Sequence, residues 1–229
     1  KHAAKTKVKP IEYMAERSFR KHYTADVILE PCDEHRVEKT DNVIVVGAST
    51  GGTDAIETFL NNMLSNSPPM VIVQHMPEKF TKAFANRLNI NTKHKVVEAT
   101  NGMHLEPGVV YIAPGGVHTM INRKDFSYFI ELKDGPQVSR HKPSVDVLFR
   151  SAAQHAGENG IGVILTGMGD DGAQGMLELK KAGARTFAQS EESCLVFGMP
   201  KEAISRGAVD KVSSLQNLPY HVQKVLVDL

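Results

Sequence analysis

The sequence predicts an α/β protein with a doubly wound, mostly parallel sheet, helices on both faces and a local antiparallel hairpin. From residue 42 onward, short runs rich in valine and isoleucine alternate with segments of helical periodicity. The runs are apolar throughout, which is typical of parallel strands buried on both faces. The hairpin is predicted from two strand-like runs that flank the polar residues 122–125.

The expected elements follow in chain order. Strands are predicted at residues 43–46, 71–74, 96–97, 109–112, 119–121, 128–130, 162–165 and 185–188. Helices are predicted at residues 53–64, 78–88, 144–155, 173–181, 200–205 and 215–226. In such a fold ligands bind beyond the carboxyl ends of the strands, so the residues directly after each run are the functional candidates.

Residues 1–40 differ in composition from the rest, and we interpret them as a linker or N-terminal extension to a main domain at 41–229. Residues 1–25 carry seven Lys or Arg against two Glu, although the whole chain has a net charge of only +1. Helical spacing between Ile11 and Phe19 suggests a short amphipathic helix. The overall charge therefore gives no indication of a nucleic-acid or membrane partner.

The cellular setting predicted from the composition is the cytoplasm. Cys32 and Cys194 are too few and too far apart to indicate a disulfide framework. No apolar stretch approaches the roughly 18 residues that a membrane span needs, and the first residues contain no apolar core of a secretory signal.

The first predicted strand ends in a Gly-x-Ser-x-Gly segment, Gly47 to Gly51, followed directly by a helix. This strand–turn–helix context is that of a nucleophile elbow, which presents the Ser49 hydroxyl on a sharp turn. The N–H groups at the start of the helix suit a developing oxyanion. A plain glycine-rich turn or a phosphate-binding loop remains an alternative, but no Gly-Lys-Ser/Thr follows, which excludes a P-loop.

A serine nucleophile needs a base, and His75 directly follows the second predicted strand. Its position beyond the neighbouring strand makes it the best-placed histidine to meet Ser49. His118 and His141 follow loops that approach the same edge and are second-rank candidates. The remaining histidines lie in terminal, polar or helix-end positions: His2, His22, His35, His94, His104, His155 and His221.

A further strand ends in a glycine-rich turn that presents Asp170 and Asp171. A carboxylate here can bind the far nitrogen of His75 and stabilise its imidazolium. The residues alone do not decide which aspartate does so, and one of them is also a candidate N-cap for the following helix.

Seven segments together resemble the catalytic domain of the chemotaxis protein-glutamate methylesterase (CheB) family. They are VGASTGG (46–52), QHMP (74–77), YIAPGGVH (111–118), PSVDVLF (143–149), LTGMGDDG (165–172), AQSEESC (188–194) and FGMP (197–200). The resemblance covers roughly residues 42–226, in order and with ordinary spacing, which is far more specific than one Gly-x-Ser-x-Gly match.

The resemblance implies a serine hydrolase that cleaves glutamate γ-methyl esters on the cytoplasmic helices of methyl-accepting chemoreceptors, releases methanol, and also deamidates receptor glutamines. It implies Ser49 as nucleophile, His75 as general base and Asp171 as the orienting acid, with Asp170 at a variable position. Thr50 and Met168 resemble residues of the family's oxyanion region. No cofactor or metal, no nucleic acid and no membrane insertion is expected.

Two departures from the family pattern stand out. The family usually carries an N-terminal receiver domain that the chemotaxis kinase phosphorylates, and residues 1–40 are too short to be that domain. The kinase is therefore expected as a partner only if a receiver exists outside this chain. Lys142 also stands where the family pattern suggests Arg.

Two rival hypotheses come from other classes. A metal-dependent hydrolase would use Asp170 and Asp171 as cation ligands, although no His-x-Glu-x-x-His segment or acidic loop supplies further ligands. A nucleotide-binding module would use the glycine-rich turn, yet His75 stands where an acidic residue is expected about 20 residues later.

Overall fold

The computed structural model describes residues 22–32 and 41–227 of the chain. Its strands are β1 Val43–Ala48, β2 Met70–Gln74, β3 Lys95–Glu98, β4 Val109–Ile112, β5 His118–Lys124, β6 Ser127–Lys133, β7 Gly160–Ile164, β8 Arg185–Gln189 and β9 Lys211–Ser213. Its α-helices are α1 Gly52–Asn62, α2 Glu78–Asn91, α3 Val145–His155, α4 Ala173–Lys181, α5 Met199–Ser205 and α6 Leu218–Val227.

The described part of the chain forms one parallel sheet of seven strands in the order β3-β4-β2-β1-β7-β8-β9. Strands β5 and β6 pair antiparallel as a separate hairpin. This arrangement confirms the predicted fold class, including the hairpin. Strand β1 lies between β2 and β7. The chain continues from β1 through α1 to β2 on one side and from β7 through α4 to β8 on the other, so the switch point of the sheet lies at the carboxyl ends of β1 and β7.

Both faces of the sheet are buried, because successive strand residues point to opposite sides. Val43 and Val45 face α3, α4, α5 and the hairpin, whereas Ile44 and Val46 face α1, α2 and α6. All six residues of β1 are buried, as its uninterrupted apolar run predicts.

Two differences from the expected elements have physical reasons. Strand β9 was not predicted, because it is an edge strand whose residues are exposed or half-buried and carry no apolar run. Helix α6 begins three residues later than predicted, since residues 214–217 form a turn in which the Asn217 N–H donates to the Ser214 carbonyl at 3.0 Å.

The described segment 22–32 packs against α3 and the β5–β6 hairpin. Ala25 and Ile28 are buried with Met120, Val138 and Val147. The helix predicted between residues 11 and 19 and residues 33–40 of the predicted linker lie outside the described residues. No helix in the described ranges is long and apolar enough to cross a bilayer.

Candidate active site

Ser49 and His75 follow neighbouring paired strands at the switch point of the sheet. Ala48 at the end of β1 is in register with Gln74 at the end of β2, so the next residues of the two strands are Ser49 and His75. The His75 N–H donates to the Ala48 carbonyl at 3.1 Å, and the Gln74 side chain donates to the Ser49 carbonyl at 2.9 Å. These bonds hold the two strand ends together.

Glycine is required on both sides of Ser49. Gly51 adopts the left-handed conformation with φ of 80° and is the N-cap of α1, a conformation that residues with a side chain rarely adopt. A Cβ at Gly47 would overlap the Val145 side chain at the start of α3. The glycines that flank the serine therefore bend the chain sharply and admit α3 against β1.

His75 and Asp171 form a short buried hydrogen bond. Nε2 of His75 lies 2.7 Å from Oδ2 of Asp171, and the two side chains are 7% and 0% exposed. Burial by itself would raise the pKa of the Asp171 carboxyl, but the hydrogen bond and charge of His75 lead the interactions that hold it below its ordinary value. An ionised carboxylate only accepts hydrogen bonds, so the Nε2–H of His75 is the donor.

The start of α3 supplies the other donors to Asp171. The Ser144 hydroxyl donates at 2.7 Å, and the backbone N–H groups of Val145 and Asp146 donate at 2.8 and 3.0 Å. These groups belong to the positive end of the helix dipole, which stabilises a carboxylate. Asp171 is thus a fixed anion that orients the ring of His75.

This orientation leaves the opposite ring nitrogen of His75 free of Asp171. Nδ1 of His75 is buried and has no hydrogen-bond partner among the described residues. With Nε2–H committed to Asp171, Nδ1 carries the free lone pair. It is therefore the atom of His75 that can act as a base.

Asp170 is separate from this arrangement. Its half-exposed carboxylate lies 3.6 Å from Arg140 and 3.9 Å from Arg206. Neither Asp170 nor Asp171, the two candidates for the N-cap of α4, occupies that position, because the N-cap is Gly172, which has a φ of 93°. Asp170 and Asp171 have different partners, so they do not form a common pair of metal ligands.

Among the described residues, three side chains that could bind a metal have their ligand atoms within 4.8 Å of one another. They are His75, His141 and Asp171. The two imidazole rings are parallel to within 7° at a centroid distance of 3.6 Å. A ring nitrogen binds a metal along the plane of its ring, so rings stacked in this way do not aim their lone pairs at one ion.

The residues predicted for the oxyanion region border Ser49. Thr50 is exposed, Met168 is 71% exposed, and neither backbone N–H donates to another described residue. The Ser49 N–H, in contrast, donates to the Thr166 carbonyl at 3.0 Å. A Cβ at Gly167 would lie 2.8 Å from Cβ of Ser49, so the turn that carries Met168 contacts the serine.

The structure also places the two second-rank histidines and Lys142, and only one of the three contacts His75. His141 stacks on His75, so this second-rank candidate reaches the site. His118 is fully buried, and its Nε2 bonds to the Pro136 carbonyl at 2.9 Å. Lys142 contacts Asp134 at 2.7 Å and the Gly135 carbonyl at 3.0 Å, which gives it a role in holding its own loop.

A groove of about 710 Å³ lies at the opposite end of the sheet. Its lining includes Asn42, Pro69 and Pro107, which directly precede or lie close before β1, β2 and β4. It is therefore remote from Ser49, which follows the carboxyl end of β1. Ser49, His75 and Asp171 lie at the carboxyl edge of the sheet, where the fold predicts a ligand site.

Comparison with known proteins identifies a family and close relatives. A family model described as CheB methylesterase matches residues 44–222. Protein-glutamate methylesterase/protein-glutamine glutaminase 1 of Geobacter metallireducens is 54% identical over 217 residues, which cover 95% of this chain and 59% of that protein. The corresponding protein of the group 3 operon of Bradyrhizobium diazoefficiens is 53% identical over 224 residues, covering 97% of this chain and 61% of that protein.

A solved structure gives the same result. The crystal structure of the Thermotoga maritima CheB methylesterase catalytic domain aligns with a TM-score of 0.78 at 36% identity, covering 82% of this chain and 100% of that one. The chain spans about three fifths of the length of the two curated relatives it matches.

Proposed function

Because this chain belongs to the CheB methylesterase family, we propose that it hydrolyses glutamate γ-methyl esters on chemoreceptors and deamidates receptor glutamines. The observation that carries the proposal is the 2.7 Å bond between His75 and the buried Asp171, formed directly beside the strand end that presents Ser49. The curated relatives are named as both methylesterase and glutaminase, which supports both reactions.

In this proposal Ser49 is the nucleophile and Nδ1 of His75 removes its proton. Attack on the ester carbonyl gives a tetrahedral intermediate whose oxyanion accepts hydrogen bonds from the backbone N–H groups of Thr50 and Met168. One such donor is worth about 3 kcal/mol of transition-state stabilisation. Asp171 stabilises the imidazolium that forms and holds its tautomer.

Collapse of the intermediate breaks the bond to the methoxy group, and the imidazolium of His75 returns the proton so that methanol leaves. A water molecule, deprotonated at the same Nδ1, then attacks the acyl-enzyme and releases the glutamate carboxylate and Ser49. With a glutamine substrate the same sequence expels ammonia. The chain's own residues suffice for each proton transfer.

The wider setting is also part of the proposal. The substrate protein is a methyl-accepting chemoreceptor, and the reaction takes place in the cytoplasm. Residues 41–229 form the methylesterase catalytic domain, and residues 1–40 are its linker or extension. The chemotaxis kinase is a partner only where a receiver domain accompanies this domain.

Methanol release from a methylated receptor fragment tests the proposal. We expect Ser49→Ala to lower the rate by at least about 10⁴-fold, since loss of a triad member leaves only binding and oxyanion stabilisation. Ser205→Ala is the matched control, because Ser205 is exposed at the end of α5. Methanol release that persists in folded Ser49→Ala would contradict the mechanism.

A further inference from the structure

We propose that His141 is a positioning residue for His75, whose imidazole lies against the His75 ring and fixes the rotamer that keeps Nδ1 free for Ser49. The inference rests on the proposed function and concerns the same site. The ring centroids are 3.6 Å apart and the planes differ by 7°. One face of the His75 ring is therefore in van der Waals contact with a second imidazole.

A tight turn of unusual composition presents His141. The Val138 and His141 backbones exchange hydrogen bonds of 3.0 and 2.8 Å, and the central residues Ser139 and Arg140 have φ of 48° and 70°. Two successive left-handed residues define a type I′ turn, which favours Asn-Gly. Each residue with a side chain in this conformation costs about 1 kcal/mol or more.

Contacts around the turn offset this cost. The Ser139 hydroxyl donates to the buried Asp146 carboxyl at 3.1 Å, and the Ser139 N–H donates to the Tyr23 carbonyl at 2.9 Å. Strained residues that the surrounding structure holds in place concentrate at functional sites. Here the strained turn delivers one side chain, His141, to the face of His75.

His141 does not compete with His75 for Asp171. Its Nδ1 lies 4.0 Å from Oδ2 of Asp171, beyond hydrogen-bond distance, and has no hydrogen-bond partner among the described residues. Burial, followed by repulsion from His75, lowers the pKa of His141. A neutral ring results, whose role is contact rather than proton transfer.

Two physical effects follow from the contact. Partial rotation of the His75 ring about its Cβ–Cγ bond would drive ring atoms into His141, so the stack holds the ring in the plane in which Nε2 reaches Asp171. When His75 becomes an imidazolium, the π face of a neutral aromatic ring within about 6 Å also attracts the positive charge. Both effects stabilise the imidazolium form of His75 in the orientation that keeps Nε2 on Asp171.

The test compares His141→Ala with His141→Phe, which retains an aromatic face of similar size. The control is His155→Ala, since His155 is also half-buried with a pKa lowered by burial but lies at the end of α3. We expect His141→Ala to lower kcat for methanol release about tenfold with KM unchanged, in line with the energy of a desolvated cation–π contact. His141→Phe should restore kcat to within about threefold of wild type.

Imidazole ¹⁵N spectra of His75 supply a readout that does not depend on the substrate. Wild type and His141→Phe should show protonated Nε2 and unprotonated Nδ1, whereas His141→Ala should show a mixture of tautomers. If His141→Ala fails to fold, His141→Leu takes its place, because leucine fills space without an aromatic face. If wild type releases no methanol, the proposed function fails while the ¹⁵N comparison still decides the role of His141.

Wild-type kcat and an unchanged tautomer in the folded non-aromatic variant would overturn the inference. So would a His141→Phe variant as impaired as His141→Ala, because the effect would then not depend on the aromatic face.

Discussion

The backbone N–H of Asp146 donates to the Asp171 carboxylate at 3.0 Å, while the Asp146 side chain turns to the Gly175 N–H at 2.8 Å and to Ser139. Two buried acids thus lie side by side with opposite electrostatic character. Burial and the charge of Asp171 raise the pKa of Asp146 to about 7, whereas that of Asp171 is lowered. One acid is kept anionic for His75, and the other retains its proton into the neutral range.

Asp146→Asn should therefore change how stability depends on pH. Because the folded pKa of Asp146 lies above the unfolded value of about 3.9, its contribution to stability is fully present below that value and is lost as pH rises through about 7. Asparagine has no such loss. The free energy of unfolding of Asp146→Asn relative to wild type should rise by about 1 kcal/mol or more between pH 5 and pH 8, measured by urea denaturation.

The control for this measurement is Asp54→Asn, since the Asp54 side chain is 88% exposed and should give a flat difference over the same range. A flat difference for Asp146→Asn as well would mean that Asp146 is ionised throughout.

Asp171 and Asp170 provide a second, matched comparison. Asp171→Asn should lower kcat by about 10²- to 10⁴-fold, because an amide cannot hold the Nε2–H tautomer of His75 or stabilise its imidazolium. Asp170→Asn should stay within about threefold of wild type, since its carboxylate contacts only half-exposed or exposed arginines. The rate of methanol release by the two purified variants shows which aspartate orients His75. Equal losses of kcat would refute the assignment of that role to Asp171.

Much of this site could be predicted from the sequence because its residues directly follow strands. Valine and isoleucine runs predict buried parallel strands, and a parallel sheet brings the residues after them to one edge. That rule places Ser49 beside His75 without knowledge of any side-chain contact. The hairpin was equally accessible, since its polar turn lies between two apolar runs.

What the sequence did not reveal depends on tertiary contacts. His141 reaches His75 only through the left-handed turn at Ser139 and Arg140, which neither residue type predicts. The choice of Nδ1 as the free nitrogen of His75 follows from the position of Asp171, and the edge strand β9 has no apolar run to mark it.

The contact between Gly47 and Val145 predicts a compensating pair of substitutions. A Cβ at Gly47 would overlap the Val145 side chain, so Gly47→Ala should destabilise the domain by about 1–3 kcal/mol through overpacking. Combined with Val145→Ala, the loss should be smaller than the sum of the two single losses. Thermal unfolding of the four proteins measures this, and simple additivity would show that the two positions do not conflict.

The last prediction concerns the two carboxylate partners of a buried arginine. Arg150, whose side chain is 4% exposed, binds Glu178 through Nε and Nη2 at 2.7 and 2.8 Å and Asp26 of the 22–32 segment at 2.6 Å. Glu178 is 8% exposed, but Asp26 is 54% exposed. Removing the charge of Glu178 leaves the buried guanidinium with only the exposed Asp26 as a charged partner, whereas water can replace Asp26 itself.

Glu178→Gln should therefore destabilise the protein by about 3–5 kcal/mol, and Asp26→Asn by no more than about 1 kcal/mol. Urea denaturation at neutral pH provides both values. Each substitution replaces one carboxylate partner of Arg150 by the corresponding amide. The difference between the two losses of stability therefore reports the burial of the partner rather than the loss of its charge. If Asp26→Asn destabilised the protein as much as Glu178→Gln, the 22–32 segment would be an integral part of the domain rather than a linker segment packed on α3.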